Sequence, residues 1–422
     1  MAISYITRRD SGRMEIQMKI LVINAGSSSV KYQLIDMATD KVMASGLCDK
    51  IAVKNDIGGF KHKVPGREDY KIQIELPNHA EAIRLVIKTL IDPELGVIKS
   101  MDEIDAVGHR VLHGGEKFSA SVLVDEKVIE AITECIELGP LHNPANLTGI
   151  RACEEVMGKI PQVAVFDTGF HQTMPDYAYL YALPYEYYEK YHIRRYGFHG
   201  TSHRYLTLRA AAMLGKKPEE INIVTCHLGN GSSVSAVKGG KCFDTSMGLT
   251  PLEGIIMGTR CGSIDPAIVP LIMKKEGLTP DEMDTVMNKK SGILGVTGGE
   301  TSDNRTIEDG AKAGNKRFQL VESMLCHQLV KLIGGYTAAM GGTDAIVFAG
   351  GIGENNPQYR TRVADKLAFL GVAIDEELNA KAKRTDVEYD ISTPDAKIRM
   401  LVIPTNEELM IAKDTYDLVK GK

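Results

Sequence analysis

Short apolar runs alternate with segments of helical period along the whole 422-residue chain, the pattern of an α/β protein. The first strong run begins at Met18. Residues 20–36 read ILVINAGSSSVKYQLID and residues 221–238 read INIVTCHLGNGSSVSAVK. Each predicts an apolar strand, a Gly/Ser/Asn turn and a second, alternating strand, which is a β-hairpin. The two lie about 205 residues apart, near half the chain length, as an internal duplication would place them. Two similar α/β halves with a cleft between them, each carrying a phosphate-sized turn, are the expected architecture.

Ligands of open α/β sheets sit beyond the carboxyl ends of the strands, and four segments place polar groups there. The run QVAVFD ends on Asp167, either a turn former or a carboxylate for Mg²⁺ and its waters. DAIVF, from Asp344, runs into AGGIGENNP, where Gly350, Gly351 and Gly353 predict a bare-backbone turn. A helix capped by Asn356 follows, with Pro357 first inside it, so this is a candidate anion site. RMLVIP, from Arg399, precedes TNEEL. There Thr405 and Glu408 match a capping box, leaving Glu407 for a metal or for solvent. In His142-Asn143-Pro144, Asn143 reads as a helix cap and Pro144 as the first helical residue, with His142 just outside. Arg110 (GHRVLHGGEKF) and Arg260 (MGTRCGSIDP) lie among glycines, suited to forked anion recognition or to surface ion pairs. His109 and His113 lack a third ligand and are not read as a metal pair. In GFHGTSHRYLTLRAAAMLG a helix starts at Thr201 or Ser202; His199 lies on the loop before it and His203 reads as structural.

Charge narrows the partners. Fifty Lys and Arg against 55 Asp and Glu give a net charge of −5, with no basic excess for nucleic acid or an anionic membrane. A composition 43% hydrophobic and 25% charged excludes a disordered chain, a collagen and a coiled-coil rod. The 7 cysteines form no C-x-x-C, which reads as a reducing, cytoplasmic setting. No apolar run approaches the roughly 18 residues of a membrane span. Residues 1–17 read as a disordered extension or tag remnant. The absence of a P-loop, a G-x-G-x-x-G after a strand and the protein-kinase signatures disfavours those phosphate-binding classes.

Nine segments in register carry a resemblance: INAGSSSVKYQL, GHRVLHGGEKF, PLHNPANLTGI, VFDTGFHQTMP, RRYGFHGTSH, HLGNGSS, PLEGIIMGTRCGSIDP, FAGGIGENN and IPTNEEL. Together they resemble the acetate kinases, of the acetate and sugar kinase, Hsp70 and actin superfamily, from Met18 to the C-terminus. The resemblance implies a two-domain actin-like (ribonuclease H-like) duplicated α/β fold with an interdomain cleft. Residues 18–167 plus 409–422 would form the N-terminal domain and 168–408 the nucleotide-binding domain. It implies reversible phosphoryl transfer from ATP to acetate with Mg²⁺ (Mn²⁺ as a substitute), in a cytoplasmic homodimer. Asn24 and Glu407 would serve the metal. Asp167, Arg110, Arg260 and His199 would be catalytic. Ser27, Ser29, Lys31, His142, His227, Asn230, Gly231, Asp303, Arg305, Gly351, Gly353 and Asn355 would hold ATP or ADP. Leu112, Leu141, Phe198 and Pro251, with Arg110, would line the acid pocket. Many members carry Val where Leu112 stands, so the pocket is expected to be tight against propionate.

Both reactants are anions, so the two arginines would offset their repulsion and stabilise the transferring phosphoryl group. Acetate is ionised at pH 7, so no general base is required. Removing either arginine is expected to abolish turnover with little loss of fold, and nucleotide binding is expected to close the domains. Two other functions remain open at this stage: a kinase for propionate or another short acid, and an ATPase that uses the cleft as a switch.

Overall fold

The computed structural model describes residues 18–53, 57–140 and 142–421. Residues 1–17 and Leu141 of the acid pocket lie outside the described residues. The chain divides into two compact units, one comprising the residues up to Gly169 with those from Asn406 on, the other Phe170–Thr405.

The first unit is built on eight strands: β1 (Lys19–Gly26), β2 (Ser29–Asp36), β3 (Lys41–Cys48), β4 (Gly58–Lys63), β5 (Tyr70–Ile74), β6 (Ala106–Val111), β7 (Val122–Leu123) and β8 (Gln162–Phe166). Their order is β5-β4-β3-β2-β1-β6-β8-β7. Strand β1 is apolar almost throughout because both its faces are covered. Leu21, Ile23 and Ala25 share a core with Ala82, Ile83, Val86 and Ala152 of the helices His79–Leu90 and Asn143–Met157. Ile20 and Val22 pack with Leu409, Ile411 and Ala412 of the helix Glu407–Val419. That helix rests directly on β6: a Cβ on Gly108 would lie 2.4 Å from Thr415 Oγ1 and 2.7 Å from Ile411 Cγ2. One turn back along the helix is Glu407, and two residues along the strand is Arg110, so this glycine contact sets the charged ends together.

The second unit carries β9 (Asn222–Leu228), β10 (Ser232–Lys238), β11 (Lys241–Thr245), β12 (Ala345–Ala349), β13 (Tyr389–Asp390) and β14 (Arg399–Val402), in the order β11-β10-β9-β12-β14-β13. One face packs with Phe318, Val321, Leu325 and Leu329 of the helix Lys316–Met340, the other with Leu206, Ala210 and Ala211 of the helix Gly200–Met213.

The duplication read from the two hairpins extends across both sheets. β1 pairs antiparallel with β2 and parallel with β6, and β9 pairs likewise with β10 and β12. β6–β8 and β12–β14 are parallel, and each sheet ends in a two-residue antiparallel edge strand. Even the irregularity recurs, between Leu34 and Ile35 on β2 and between Ala236 and Val237 on β10. Both units are therefore α/β, and the second repeats the strand plan of the first, as a duplicated fold requires.

Three local expectations are corrected. The helix after His142 begins at Asn143, which is fully buried rather than a cap. Thr405 does not form a capping box with Glu408: Asn406 is the N-cap, its Oδ1 accepting from Leu409 N at 3.0 Å. The AGGIGEN stretch is not a bare loop. Gly350–Asn355 is a short helix, followed by Pro357–Leu367 capped by Asn356. Among the described residues no helix is long and apolar enough to cross a membrane.

Candidate active site

In the first unit, Arg110 is the penultimate residue of β6 and Asp167 follows β8. Arg110 Nε donates to Asp167 Oδ1 at 3.0 Å and Nη2 to Oδ2 at 2.7 Å, a two-pronged pair. Asp167 is fully buried, and its own N–H donates to Val111 O at 2.9 Å. The carboxylate beside it holds the Arg110 guanidinium in its charged form. Glu407 belongs to the same electrostatic cluster. Burial pushes its carboxyl above the ordinary range; Arg110 opposes the rise, Asp167 reinforces it and Lys31 opposes it. Its Oε1 is buried with no hydrogen-bond partner. Glu408 is raised too, first by burial. Asn24 and Lys31 face each other across the β1–β2 ladder, and the turn between the strands leaves Ser27 exposed and Ser29 partly covered.

The strand ends are held by two carboxamides, a role the sequence reading gave to neither. Asn146 Oδ1 accepts from Leu112 N at 3.0 Å and its Nδ2 donates to Ala25 O at 2.9 Å. One side chain thereby ties the end of β1, just before the serine turn, to Leu112, the residue that follows β6 and lies two beyond Arg110. Asn143 does the same one step on: its Oδ1 accepts from His113 N at 3.1 Å and its Nδ2 donates to His113 O at 3.0 Å. Leu112 is buried under this clamp. His142 occupies the N-cap position without a side-chain cap bond. His109 is buried, bonded to Gln162, and lowered to about 4 by burial.

In the second unit, three glycines shape the site. A Cβ on Gly231 would stand 3.5 Å from Arg260 Nη1 and 3.6 Å from His199 Nε2, so the β9–β10 turn, Arg260 and His199 converge there. Arg260 is partly buried; its Nη1 donates to Pro251 O at 2.9 Å. No carboxylate pairs with it among the described residues, and burial lowers its pKa. His199 is not upstream of the helix cap but is the N-cap residue itself, held at φ 57°. Its ring stacks on that of His227 at 4.3 Å. Phe198 is buried, its carbonyl accepting from His171 Nε2 at 2.9 Å.

Beside the turn lies a cavity of about 750 Å³ lined by Asn230, Gly258, Asp303, Arg305, Gly351 and Asn355, among others. The absence of a side chain on Gly258 admits Asn230, whose Oδ1 would lie 1.9 Å from a Cβ there. Gly351 is exposed, whereas Gly353 is buried under Phe348 and Leu228 and does not line the cavity. Asp303 caps the helix Asn304–Lys312, accepting from Arg305 N and Thr306 N. Its ion pair with Arg305 helps hold its carboxyl at about 2.

This constellation coincides with what the chain is similar to. Residues 19–413 match the model of the Acetokinase family. The acetate kinase of Methanosarcina acetivorans is 59% identical over 401 residues, 95% of this chain and 97% of that protein. The crystal structure of Porphyromonas gingivalis acetate kinase superposes with a TM-score of 0.91 at 46% identity, covering 96% of this chain and all (100%) of that one. A propionate kinase structure from Francisella tularensis subsp. tularensis gives 0.88 at 42% identity, covering 95% of this chain and 100% of that one. With nearly the whole length matched, the chain belongs to the acetokinase family, kinases whose phosphoryl acceptor is a carboxyl group.

Proposed function

We propose that the protein catalyses reversible in-line transfer of the γ-phosphoryl group of ATP to acetate, giving acetyl phosphate and ADP. The observation that carries this reading is the convergence of Arg260 and His199 on the Gly231 turn. A partly buried guanidinium with no carboxylate beside it is arranged for an anion that arrives with the substrate. Arg260 and His199 would stabilise charge on the equatorial phosphoryl oxygens, and an arginine in such a place contributes about 10³–10⁵ in rate.

The nucleotide would occupy the second unit's cavity. Asn230, Gly231 and Gly351 would face its phosphates, with Asp303, Arg305 and Asn355 nearer the nucleoside. His227 would support His199 by stacking. In the first unit, Arg110 would present its remaining N–H donors to the acid, with Leu112 limiting chain length. The Ser27 and Ser29 hydroxyls, Lys31 and His142 would contact transferring phosphate. The reaction requires acid and nucleotide to meet in line, and because acetate arrives ionised no group need remove a proton.

Asn24, Glu407 and Asp167 would hold Mg²⁺, directly or through water. The fit rests on Glu407 Oε1, a buried acceptor with no donor. Among the described residues no cluster of three or more His, Cys, Asp or Glu forms a cage by itself. Mg²⁺ is commonly held by one or two carboxylates with water and substrate phosphates. When bound, the ion would neutralise charge on the bridging phosphates.

A second reading is favoured by the likeness to a propionate kinase: the acid could be one carbon longer. Acyl hydroxamate formation from ATP, Mg²⁺ and a series of acids tests both. Acetate-dependent product that falls by about 10–200-fold for propionate supports the first reading. Propionate preferred over acetate replaces it with the second, and ATP turnover indifferent to any acid refutes both. We propose further that the protein is a cytoplasmic homodimer. The exposed Tyr177, Leu183, Tyr185, Tyr187 and Tyr191 form an apolar segment of the kind that pairing covers. Sedimentation velocity tests the dimer.

A further inference from the structure

Behind His199 lies a hydrogen-bonded chain that the function above does not use. Ser233 Oγ on β10 stands 2.9 Å from His199 Nδ1 and 2.7 Å from His203 Nε2. His203 Nδ1 is 2.7 Å from Thr225 Oγ1 on β9. Thr225, His203 and Ser233 are fully buried, so each proton must find an acceptor inside the protein.

The proton positions follow from distance. The other acceptor near the Thr225 hydroxyl, Ser235 O, lies at 3.4 Å, well beyond the usual O–H···O range of about 2.5–3.0 Å. The Thr225 proton therefore points to His203 Nδ1. A neutral imidazole that accepts at Nδ1 carries its proton on Nε2, which donates to Ser233 Oγ. The Ser233 proton is then directed to His199 Nδ1, and His199 carries its own proton on Nε2. Burial, together with the nearby His171 and His227, holds His203 well below the usual histidine pKa, so the single-proton form applies. The backbone is fixed independently. His171 Nε2 donates to Phe198 O, and the next residue, His199, is pinned in the left-handed region at φ 57°.

We infer that Ser233 and His203 are positioning residues that hold His199 in its Nε2–H tautomer, with that N–H turned toward the Gly231 turn. The catalytic consequence rests on the role given to His199 above. Without the relay a neutral His199 could place its proton on either nitrogen, and only one form donates to a phosphoryl oxygen. The relay also polarises as charge develops on that oxygen, because each donor in it is an acceptor from the next.

The test combines a spectrum with kinetics. Long-range ¹H–¹⁵N spectra of ¹⁵N-histidine-labelled protein report the tautomer of each ring, and His199→Gln identifies the His199 signals by their loss. The wild type is expected to show His199 protonated at Nε2. Ser233→Ala is expected to shift these signals toward a mixture of tautomers. Its kcat should fall by about 10–100-fold, with the KM values for ATP and acid within about twofold. Ser233→Thr, which keeps the hydroxyl, should restore both. His203→Gln, which keeps a side-chain N–H, should lose less than His203→Leu. A wild-type His199 protonated at Nδ1, or a Ser233→Ala variant with the wild-type spectrum and kcat, overturns the inference. If His199→Ala keeps wild-type kcat, it is the catalytic role of His199 that fails. The spectra still decide whether the relay exists.

Discussion

Glu407→Gln should make the protein more stable and less active, and the two effects should have different pH signatures. Glu407 Oε1 is buried without a partner, and burial is the first cause of its raised pKa. A buried unsatisfied polar group costs about 1–3 kcal/mol, and Arg110 and Lys31 recover part of that here. A net gain of about 1 kcal/mol from neutralising the side chain is therefore expected. For a unit of this size that is about 2–4 °C in Tm. The sign follows from linkage. A carboxyl whose folded pKa is above its unfolded value, about 4.3, favours the folded state most while it is protonated. That advantage disappears as pH rises through the folded value. The variant should match the wild type near pH 4 and exceed it at pH 8. Activity should fall by about 10–100-fold through weaker metal binding. Thermal unfolding at both pH values, with hydroxamate kinetics at several Mg²⁺ concentrations, reads all of this. A variant no more stable than the wild type at pH 8 would refute the claim that this carboxylate is strained without its ligand.

Arg260→Ala should lose about 10³–10⁵ in kcat with little change in Tm, since its side chain pairs with no carboxylate of the described residues and bonds Pro251 O instead. Arg110→Ala should lose activity and also about 3–5 kcal/mol of stability, because it leaves buried Asp167 unpaired; urea unfolding separates the two arginines, contrary to the expectation from sequence that both are structurally dispensable. Gly258→Ala should displace Asn230 and raise the KM for ATP about tenfold or more with the acid KM unchanged, measured by coupled ADP release. Leu112→Ala should shift the propionate-to-acetate ratio of kcat/KM upward by about tenfold or more, and an unchanged ratio would place chain-length control elsewhere.

The hairpins were legible because a Gly/Ser turn between alternating apolar strands is a local signal. Asp167 was legible as a strand-end carboxylate and Arg110 as an arginine among glycines suited to an anion, but not their pairing, which joins residues 57 apart. Asn146 shows why. As a residue it reads as an ordinary helix position. Its function lies in partners 34 and 121 residues away, Leu112 N and Ala25 O. Thr405 failed for a related reason. Its hydroxyl bonds Ser202 Oγ at 2.7 Å in the second unit, and Asn406 caps the helix instead. Glu407 was legible as the acid left over from that motif and through the IPTNEEL resemblance, but its orphaned oxygen is visible only in three dimensions.

The shared strand register shows how one frame came to hold two chemistries. β1 and β6 are aligned with Ile20 opposite Ala106, and β9 and β12 with Ile223 opposite Ala345. Counting from these pairs, Arg110 takes in the first sheet the place that Ala349 takes in the second, and Val111 that of Gly350. The next pairing, Val107 with Gln162 and Ile346 with Met400, sets Asp167 equivalent to Thr405. The first unit therefore fills these strand ends with a buried ion pair and the second strips them to small residues, while the apolar positions that build the cores keep their pattern. The stripping has a steric cause at Gly350. Its φ is 75°, and a Cβ there would lie 2.7 Å from Leu228 O and 2.9 Å from Leu228 N, both rigid backbone atoms at the end of β9. Gly350→Ala should thus cost more than the roughly 1–2 kcal/mol of a left-handed non-glycine residue, because the contact adds to it. It should also raise the KM for ATP by tilting the Gly350–Asn355 helix that carries Gly351 and Asn355 into the cavity. Urea unfolding and ATP saturation curves indistinguishable from the wild type would show that the glycine is not required by this backbone approach.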